Sequence, residues 1–256
     1  MIEIAHRGYS DLHKDNTKES FMSSVFHQFD MIELDIQLTK DDKIIIYHDT
    51  FIKNILIKTI TYQKLLEIDQ DILTLDDFFQ IIDISKIKIY LDIKGNDSKI
   101  SPILYDLIKN NPFSYNIFIA SFNLIIIKEL YILNPCLQLG FITENLFPNE
   151  FFFFMIKEYN IRFIAFHWTM LDTNTIDFLH CNHVMVFTYT SKNKEILSFM
   201  ENFDIDGIVT NGKLKDYRQG ISRKKKTKKN NQKEFIYFFI IILLILFQIK
   251  NFLIKE

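Results

Sequence analysis

The 256-residue chain has very little cysteine, glycine or proline, with two, six and four residues of these types. Two cysteines exclude a disulfide-built scaffold and a cysteine zinc site, and so little glycine and proline excludes collagen-like or low-complexity architecture. Hydrophobic residues make up 48% of the chain, which is enough to bury a core and excludes intrinsic disorder. The length fits one large domain.

The N-terminus lacks the basic and apolar regions of a signal peptide, because Met1 is followed directly by a short strand-like run. We therefore expect no signal peptide and a protein body that stays in the cytoplasm. Cysteines are kept reduced there, so Cys136 and Cys181 are expected to be free core thiols.

The net charge of −2 combines an acidic body with a basic tail. Residues 1–220 contain 21 Lys and Arg against 30 Asp and Glu, a balance of −9, whereas residues 221–256 contain nine against two, a balance of +7. Nucleic-acid binding requires a basic surface that contacts phosphates, so the acidic body argues against a nucleic-acid partner.

The tail predicts association with a membrane. A basic linker, residues 221–234, precedes thirteen uninterrupted apolar or aromatic residues, and the hydrophobic pattern then continues with interruptions to residue 254. Residues 235–254 are about as long as the roughly 20 residues of a bilayer span, and the basic flank places the body on the cytoplasmic side. The alternatives are an exposed helix that packs on a partner and a shorter segment that lies in the membrane interface.

Short apolar runs alternate with amphipathic stretches over residues 1–220. Eight strands that alternate with helices in about 220 residues predict an α/β fold, a (β/α)8 TIM barrel, with the C-terminal hydrophobic helix appended. A further run, 44–47, predicts a hairpin-like excursion after the second strand. The predicted strands are 2–5, 31–37, 88–93, 117–121, 137–141, 162–166, 184–188 and 206–209, and the predicted helices are 18–27, 97–109, 124–133, 150–159, 173–179 and 192–200.

Polar residues inside two predicted strands are informative, because core strands are normally apolar. Glu33 and Asp35 alternate with isoleucine and leucine in the second strand, which puts both carboxylates on one face. Asp92 and Lys94 share the polar face of the third strand in the same way. Three converging carboxylates repel one another unless a cation lies among them, and oxygen ligands favour Mg²⁺ or Ca²⁺. The alternatives to a metal site are that these carboxylates lie on the surface of a half-exposed strand, or that they form a structural salt bridge with Lys94.

Two histidines follow predicted strand ends, where barrel enzymes build their active sites. His6 begins a His-Arg-Gly sequence after the first strand, and His48 follows the run 44–47. Two imidazoles offer an acid and a base near neutral pH, and the Arg7 guanidinium suits phosphate oxygens. His167 and Trp168 follow the sixth strand and could line the mouth of the barrel, but we favour the interpretation that they are packed aromatic residues.

In order and spacing, these residues resemble the signature of the glycerophosphodiester phosphodiesterases. The family opens with His-Arg-Gly, five residues, then Pro-Glu-Asn-Thr, and this chain differs in having Lys14 and Asp15 in place of Pro-Glu. It also has Asp92 where the family usually has glutamate. The matching blocks are residues 6–21, 32–41, 46–49 and 91–94, with weaker similarity in the same order up to residue 212.

The resemblance implies a barrel enzyme that uses a divalent cation to hydrolyse glycerophosphodiesters to sn-glycerol 3-phosphate and an alcohol. It also supplies a role for each polar residue that the strand patterns single out. By similarity, the metal ligands are Glu33, Asp35 and Asp92, the acid–base pair is His6 and His48, and the phosphate-binding residues are Arg7 and Lys94.

Two further functions stay open. A lysophospholipase D-type hydrolase would act on lysophospholipid in the bilayer, and the hydrophobic tail favours it because tethering brings the barrel mouth close to lipid. A non-catalytic, membrane-tethered binding module is the other alternative, since the shortened acids at positions 15 and 92 alter the site. Metal affinity separates this module from the enzymes.

Overall fold

The structure, a computed structural model, describes residues 1–218. Within that range the chain forms eleven strands and nine α-helices. The strands are β1 (Ile2–Ala5), β2 (Met31–Leu38), β3 (Ile44–Ile46), β4 (Phe51–Ile52), β5 (Ile55–Leu56), β6 (Lys88–Ile93), β7 (Ile117–Ser121), β8 (Gln138–Thr143), β9 (Phe163–His167), β10 (Met185–Tyr189) and β11 (Gly207–Thr210). The helices are α1 (Lys18–Phe26), α2 (Tyr62–Ile68), α3 (Leu75–Ile81), α4 (Ile100–Ile108), α5 (Leu124–Leu133), α6 (Asn149–Tyr159), α7 (Thr173–Cys181), α8 (Lys194–Met200) and α9 (Leu214–Arg218).

Eight of the described strands close into a parallel barrel in the order β1, β2, β6, β7, β8, β9, β10 and β11. The ring closes because β1 pairs with both β2 and β11, which sets Ile4 opposite Met31 and Ala5 opposite Thr210. Each barrel strand is followed by a helix before the next barrel strand begins. The predicted (β/α)8 TIM barrel is therefore confirmed.

The excursion after β2 contains more structure than its sequence pattern predicts. Strand β3 pairs antiparallel with β2, with Ile46 opposite Ile36, and the β4–β5 hairpin and helices α2 and α3 follow it. Both helices have only seven residues, which is too short for a clear helical period. Helix α3 does carry a local start signal, because Thr74 and Asp77 form a capping box.

The barrel separates two apolar cores, and strict alternation along the strands assigns residues to each. In β2, Ile32, Leu34 and Ile36 face the helices and are fully buried. The barrel interior is filled mainly by aromatic rings. The centroid of the Phe163 ring lies 5.4 Å from that of Tyr90 and 5.1 Å from that of Phe187. This aromatic layer closes the interior beneath the polar residues at the carboxyl ends of the strands.

Several sequence-based expectations concern the rest of the chain. The basic linker 221–234 and the hydrophobic segment 235–254 lie outside the described residues, so the tail and its domain boundaries stay predictions. Within residues 1–218, no helix combines the length and hydrophobicity needed to cross a membrane.

The prediction of core thiols is wrong, because Cys136 and Cys181 are exposed. One precedes β8 in a turn and the other ends α7, where packing does not cover it.

Candidate active site

The turn after β1 brings its side chains to the carboxyl end of the barrel. Arg7 and Gly8 both have positive φ angles, +56° and +79°. A Cβ on Gly8 would lie 2.7 Å from the Ser20 carbonyl carbon, and the Ser20 hydroxyl donates a 3.0 Å hydrogen bond to the Arg7 carbonyl. Only glycine accommodates this conformation and this close approach to α1. The tight turn leaves His6 and Arg7 lining the mouth of the barrel.

Three carboxylates meet inside that mouth. Glu33 and Asp35 project from β2 and Asp92 from β6, and the parallel pairing sets Asp35 directly beside Asp92. One oxygen of each lies within 4.8 Å of the others, although the residues are only 4%, 1% and 7% exposed. The structure thus brings together the carboxylates that the strand alternation singles out, here called the acidic triad.

Two cations contact the acidic triad. Lys94 Nζ lies 2.6 Å from Asp92 Oδ2 and 3.1 Å from Asp35 Oδ1, while Arg7 Nε lies 3.0 Å from Asp35 Oδ2. The Arg7 backbone N–H donates a 2.8 Å hydrogen bond to Glu33 Oε2. The salt bridge with Lys94 expected as an alternative to a metal site is therefore present. Lys94 and Arg7 together do not neutralise the charge of the triad, since three carboxylates face two cations.

The electrostatics of the triad are unequal. Burial, followed by repulsion from Asp35 and Asp92, raises the pKa of Glu33 well above its ordinary value. Burial also raises the pKa of Asp92 to about 6, against the attraction of Lys94. Burial acts in the same direction on Asp35, but Lys94, Arg7 and a hydrogen bond outweigh it and lower the pKa of this carboxyl. Only Asp35 is well compensated by the protein's own cations.

The fit of a divalent cation follows from the oxygen atoms that the protein leaves without partners. Asp92 Oδ1 is buried and has no hydrogen-bond partner, and the same is true of Asn16 Oδ1. Buried acceptors without partners are rare and costly in folded proteins. Carboxylate and amide oxygens are hard donors that suit Mg²⁺ or Ca²⁺. The residues present therefore fit a divalent metal ion, and do not select between these two.

Both predicted histidines line the same cavity, which has a volume of about 360 Å³. His6 is half-buried, its Nδ1 has no partner, and burial together with the neighbouring Arg7 lowers its pKa to about 4. His48 is more exposed, and its Nδ1 lies 2.7 Å from Asp49 Oδ1. The two imidazoles thus differ in environment, one desolvated and one paired with a carboxylate.

Asn16 belongs to the site although the sequence patterns give it no role. Its Nδ2 donates a 2.9 Å hydrogen bond to Asp35 Oδ2, and its positive φ of 58° places this buried side chain beneath the carboxylate. The neighbouring Asp15 instead lies 3.1 Å from Arg7 Nη1 and is partly exposed. The signal for Asn16 was its place in the Asn-Thr pair of the opening signature.

The other side of the cavity is formed by residues that sequence reasoning missed. Phe122 and Glu144 immediately follow β7 and β8, and His167 and Tyr189 end β9 and β10. For His167 the alternative position at the mouth is the one observed, because its ring lines the cavity while Nδ1 lies 2.7 Å from Thr169 Oγ1. Position at a strand's carboxyl end was the signal that could have identified all four.

The fold and the site define a class of protein. A TIM barrel whose mouth holds an acidic triad, two cations and two imidazoles has the architecture of a barrel enzyme, with its polar residues at the carboxyl ends of the strands. Sequence comparison then gives the family, since the model of the glycerophosphoryl diester phosphodiesterase family matches residues 6–213. The chain belongs to this family, and it is an enzyme.

Individual relatives agree with this assignment. A Bacillus subtilis protein provisionally named a glycerophosphodiester phosphodiesterase is 27% identical over 236 residues, covering 82% of this chain and 94% of its own. The glycerophosphodiester phosphodiesterase of Caldanaerobacter subterraneus is 25% identical, covering 82% and 93%. An Oleispira antarctica phosphodiesterase, solved in complex with the product sn-glycerol-3-phosphate, has the same fold at 18% identity, with a TM-score of 0.73 over 82% of this chain and 93% of that one.

Proposed function

We propose that the protein hydrolyses glycerophosphodiesters to sn-glycerol 3-phosphate and an alcohol, with a divalent cation bound by the acidic triad. The observation that carries this proposal is the gathering of three buried carboxylates, two cations and two histidines in one cavity. Membership of the family and the named activity of its relatives support the substrate class.

Glu33, Asp35 and Asp92 would hold the cation, and their oxygen ligands suit both Mg²⁺ and Ca²⁺. When bound, the ion supplies a Lewis acid for the phosphate oxygens and relieves the repulsion within the triad. Asn16 positions Asp35 through its 2.9 Å hydrogen bond. Such outer contacts orient metal ligands and tune their affinity.

Arg7 and Lys94 are proposed to bind the phosphate group. Both side chains line the cavity, and both are held by contacts with Asp35. The planar guanidinium suits phosphate oxygens, and a lysine ammonium adds a point charge. Fixed cations stabilise the negative charge that grows on these oxygens in the transition state.

The environments of the two histidines suggest their roles. His6 has a pKa lowered to about 4 and is therefore neutral at pH 7, as a general base must be. The contact with Asp49 places a proton on His48 Nδ1, because an ionised carboxylate only accepts. His48 therefore acts as an acid in its cationic form, in which Nε2 carries the second proton that is transferred. We propose that His6 removes a proton from the attacking hydroxyl or water and that His48 protonates the leaving alkoxide.

A kinetic experiment tests the acid–base pair. The full chain, His6→Ala, His48→Ala and the control His13→Ala would each be given glycerophosphocholine, with sn-glycerol 3-phosphate measured by a coupled dehydrogenase. Loss of a general acid or base is expected to reduce kcat by about 10²- to 10⁴-fold, whereas exposed His13 should be dispensable. Full activity in either site variant would refute the proposed roles.

Lysophospholipid is the second candidate substrate, and one observation favours it. Apolar side chains are exposed on the loops that follow β1, β7 and β8, and on strand β4 of the excursion after β2. Leu12 and Phe51 are each 56% exposed, and Phe122 and Leu146 are each 48% exposed. Apolar residues around a mouth suit contact with lipid. The full chain should then hydrolyse lysophosphatidylcholine in vesicles faster than glycerophosphocholine in solution, and the reverse order would exclude this alternative.

Membrane association through residues 221–256 remains part of the proposal, with the barrel on the cytoplasmic side. It rests on the charge of +7 and the apolar pattern of that segment. Co-sedimentation of the full chain with anionic vesicles, resistant to high salt, is the expected result. Recovery of all the protein in the supernatant would contradict it.

A non-catalytic module is less consistent with the site. Asp92, although shorter than the usual glutamate, still has an oxygen within 4.8 Å of the other two carboxylates. The shorter acid at position 15 contacts Arg7 and does not join the triad. Metal binding without turnover of either substrate is the result that would favour the module.

A further inference from the structure

The mouth of the barrel has two chemically different halves. Strands β1, β2 and β6 are neighbours in the ring and carry the acidic triad and its cations. Strands β7 to β10 follow them consecutively in the ring and contribute no residue to the proposed reaction. The residues that they and the positions directly after them place in the cavity are Phe122, Ile142, Glu144, His167, Tyr189 and Thr190, here called the aromatic half.

The rings of the aromatic half form walls rather than a stack. Tyr189 is fixed by a 3.3 Å hydrogen bond from its hydroxyl to the Thr143 carbonyl at the end of β8. The Phe122 ring lies 6.5 Å from it at 84°, and the His167 ring lies 5.7 Å from it at 71°. The rings therefore meet edge to face and are not stacked, and all three line the cavity.

One carboxylate accompanies these rings. Glu144 is the only carboxylate outside the acidic triad among the described residues that line the cavity. Within residues 1–218, its side chain forms no hydrogen bond or ion pair, and it is exposed to the cavity opening. It lies close enough to Tyr189 for its charge, after burial, to raise the pKa of that phenol.

Ring faces beside an unpaired carboxylate have the chemistry of a site for an organic cation. Aromatic faces attract cations electrostatically, and quaternary ammonium groups are typical ligands because they have no N–H donors that need acceptors. A neutral polyol such as glycerol would require several free hydrogen-bonding groups. The Tyr189 and Thr190 hydroxyls already donate to backbone carbonyls, His167 Nδ1 is paired with a threonine hydroxyl, and Ile142 is apolar. The composition of the aromatic half therefore favours a quaternary ammonium group over a neutral alcohol.

The aromatic half also adjoins the proposed phosphate-binding residues. Lys94 Nζ lies 5.9 Å from the centroid of the Phe122 ring, so this ring touches both halves of the mouth. A phosphate held by Lys94 would direct one of its two ester groups toward the aromatic half.

We infer that the aromatic half is the subsite for the alcohol part of the substrate and that it takes a quaternary ammonium head group, with Glu144 as counter-ion. This inference rests on the proposed function. If the aromatic half binds the head group in this way, glycerophosphocholine is a better substrate than diesters whose alcohol is neutral.

The test compares kcat/KM for glycerophosphocholine and for glycerophosphoglycerol, whose head group is uncharged. The full-length protein is expected to prefer the choline diester about tenfold. Glu144→Gln keeps the shape and removes the charge, and should lower that ratio about three- to fivefold. The matched control is Glu158→Gln, an exposed residue on α6 outside the cavity, which should leave the ratio unchanged. An unchanged ratio in Glu144→Gln would overturn the inference.

Substitutions of Tyr189 separate the ring face from the hydroxyl. Tyr189→Phe retains the face and should keep the choline preference, whereas Tyr189→Leu should lose most of it. Calorimetric titration with choline and with its neutral isostere 3,3-dimethylbutan-1-ol supplies a readout that needs no turnover. Tighter binding of choline supports the subsite, and equal binding refutes it. If neither diester is hydrolysed, the proposed function fails, while equal hydrolysis of both diesters refutes only this subsite.

Discussion

Replacing Asp92 by asparagine should stabilise the metal-free protein at neutral pH. Burial raises the pKa of Asp92 from an ordinary value of 3.8 to about 6, so ionising it in the folded state is unfavourable. Each pH unit between the unfolded and folded values corresponds to about 1.4 kcal/mol. The difference of about 2 pH units therefore predicts that ionisation costs the wild type about 3 kcal/mol of folding free energy above pH 6.

The direction of the pH dependence follows from the raised pKa. Below about pH 4 the carboxyl is protonated in both folded and unfolded states, so Asp92 contributes no penalty there. As the pH rises to 6, the unfolded chain releases this proton first and the wild type loses stability. Asparagine cannot ionise, so Asp92→Asn avoids the loss. It also keeps the oxygen that contacts Lys94, while the unpartnered Asp92 Oδ1 is replaced.

Urea unfolding followed by circular dichroism, in EDTA at pH 4, 5, 6 and 7, checks this prediction. The variant and the wild type should be similar at pH 4, and the variant should gain steadily to about 3 kcal/mol at pH 7. Comparing the two proteins at each pH cancels contributions from carboxyls outside the acidic triad. Within the triad, Glu33 loses the repulsion of Asp92, which acts in the same direction and adds to the variant's gain. A difference that does not change with pH would refute the electrostatic account of the triad.

Three further predictions concern the turn, the ion and the acid–base pair. Gly8→Ala should lower the free energy of unfolding by about 1–3 kcal/mol or more, because Gly8 has a φ of +79° and an added Cβ would clash with Ser20. The control Gly95→Ala has the same φ but open space around it, so its free energy of unfolding, measured by chemical denaturation, should fall by only about 1 kcal/mol. Saturating Mg²⁺ or Ca²⁺ should raise the free energy of unfolding by about 2.7 kcal/mol at one hundred times Kd, and with it the thermal midpoint. Scanning calorimetry should show no rise of the midpoint when Glu33 is replaced by glutamine. His48→Ala should unfold at the wild-type temperature while its kcat falls, since this side chain is 40% exposed; a large loss of stability would indicate a structural role instead.

Much of the barrel could be predicted because each of its strands carries a strong local pattern. Strands β1, β6 and β7 and helix α5 begin and end where the sequence predicts, and the other five barrel strands differ by at most two residues at either end. The alternation of Glu33 and Asp35 with aliphatic residues was sufficient to place both carboxylates on the inner face. Ring closure follows from eight such units, since no open sheet would bury both cores.

The missed features depend on contacts between distant parts of the chain. Glu144 and Tyr189 are ordinary residues in their local sequence, and only the ring order of β8, β9 and β10 brings them into one cavity. The unequal pKa values of Glu33, Asp35 and Asp92 likewise depend on which carboxylate Lys94 and Arg7 reach. Spacing along a strand predicts a shared face, but not the distances across it.

The measurement that tests the central claim most directly is a titration of the metal-free full chain with Mg²⁺ and, separately, with Ca²⁺. Release of sn-glycerol 3-phosphate from glycerophosphocholine is followed at each metal concentration. The account predicts no release in EDTA and a saturable recovery with at least one of the two ions. Undiminished release in EDTA, from protein shown by elemental analysis to contain no metal, would contradict it.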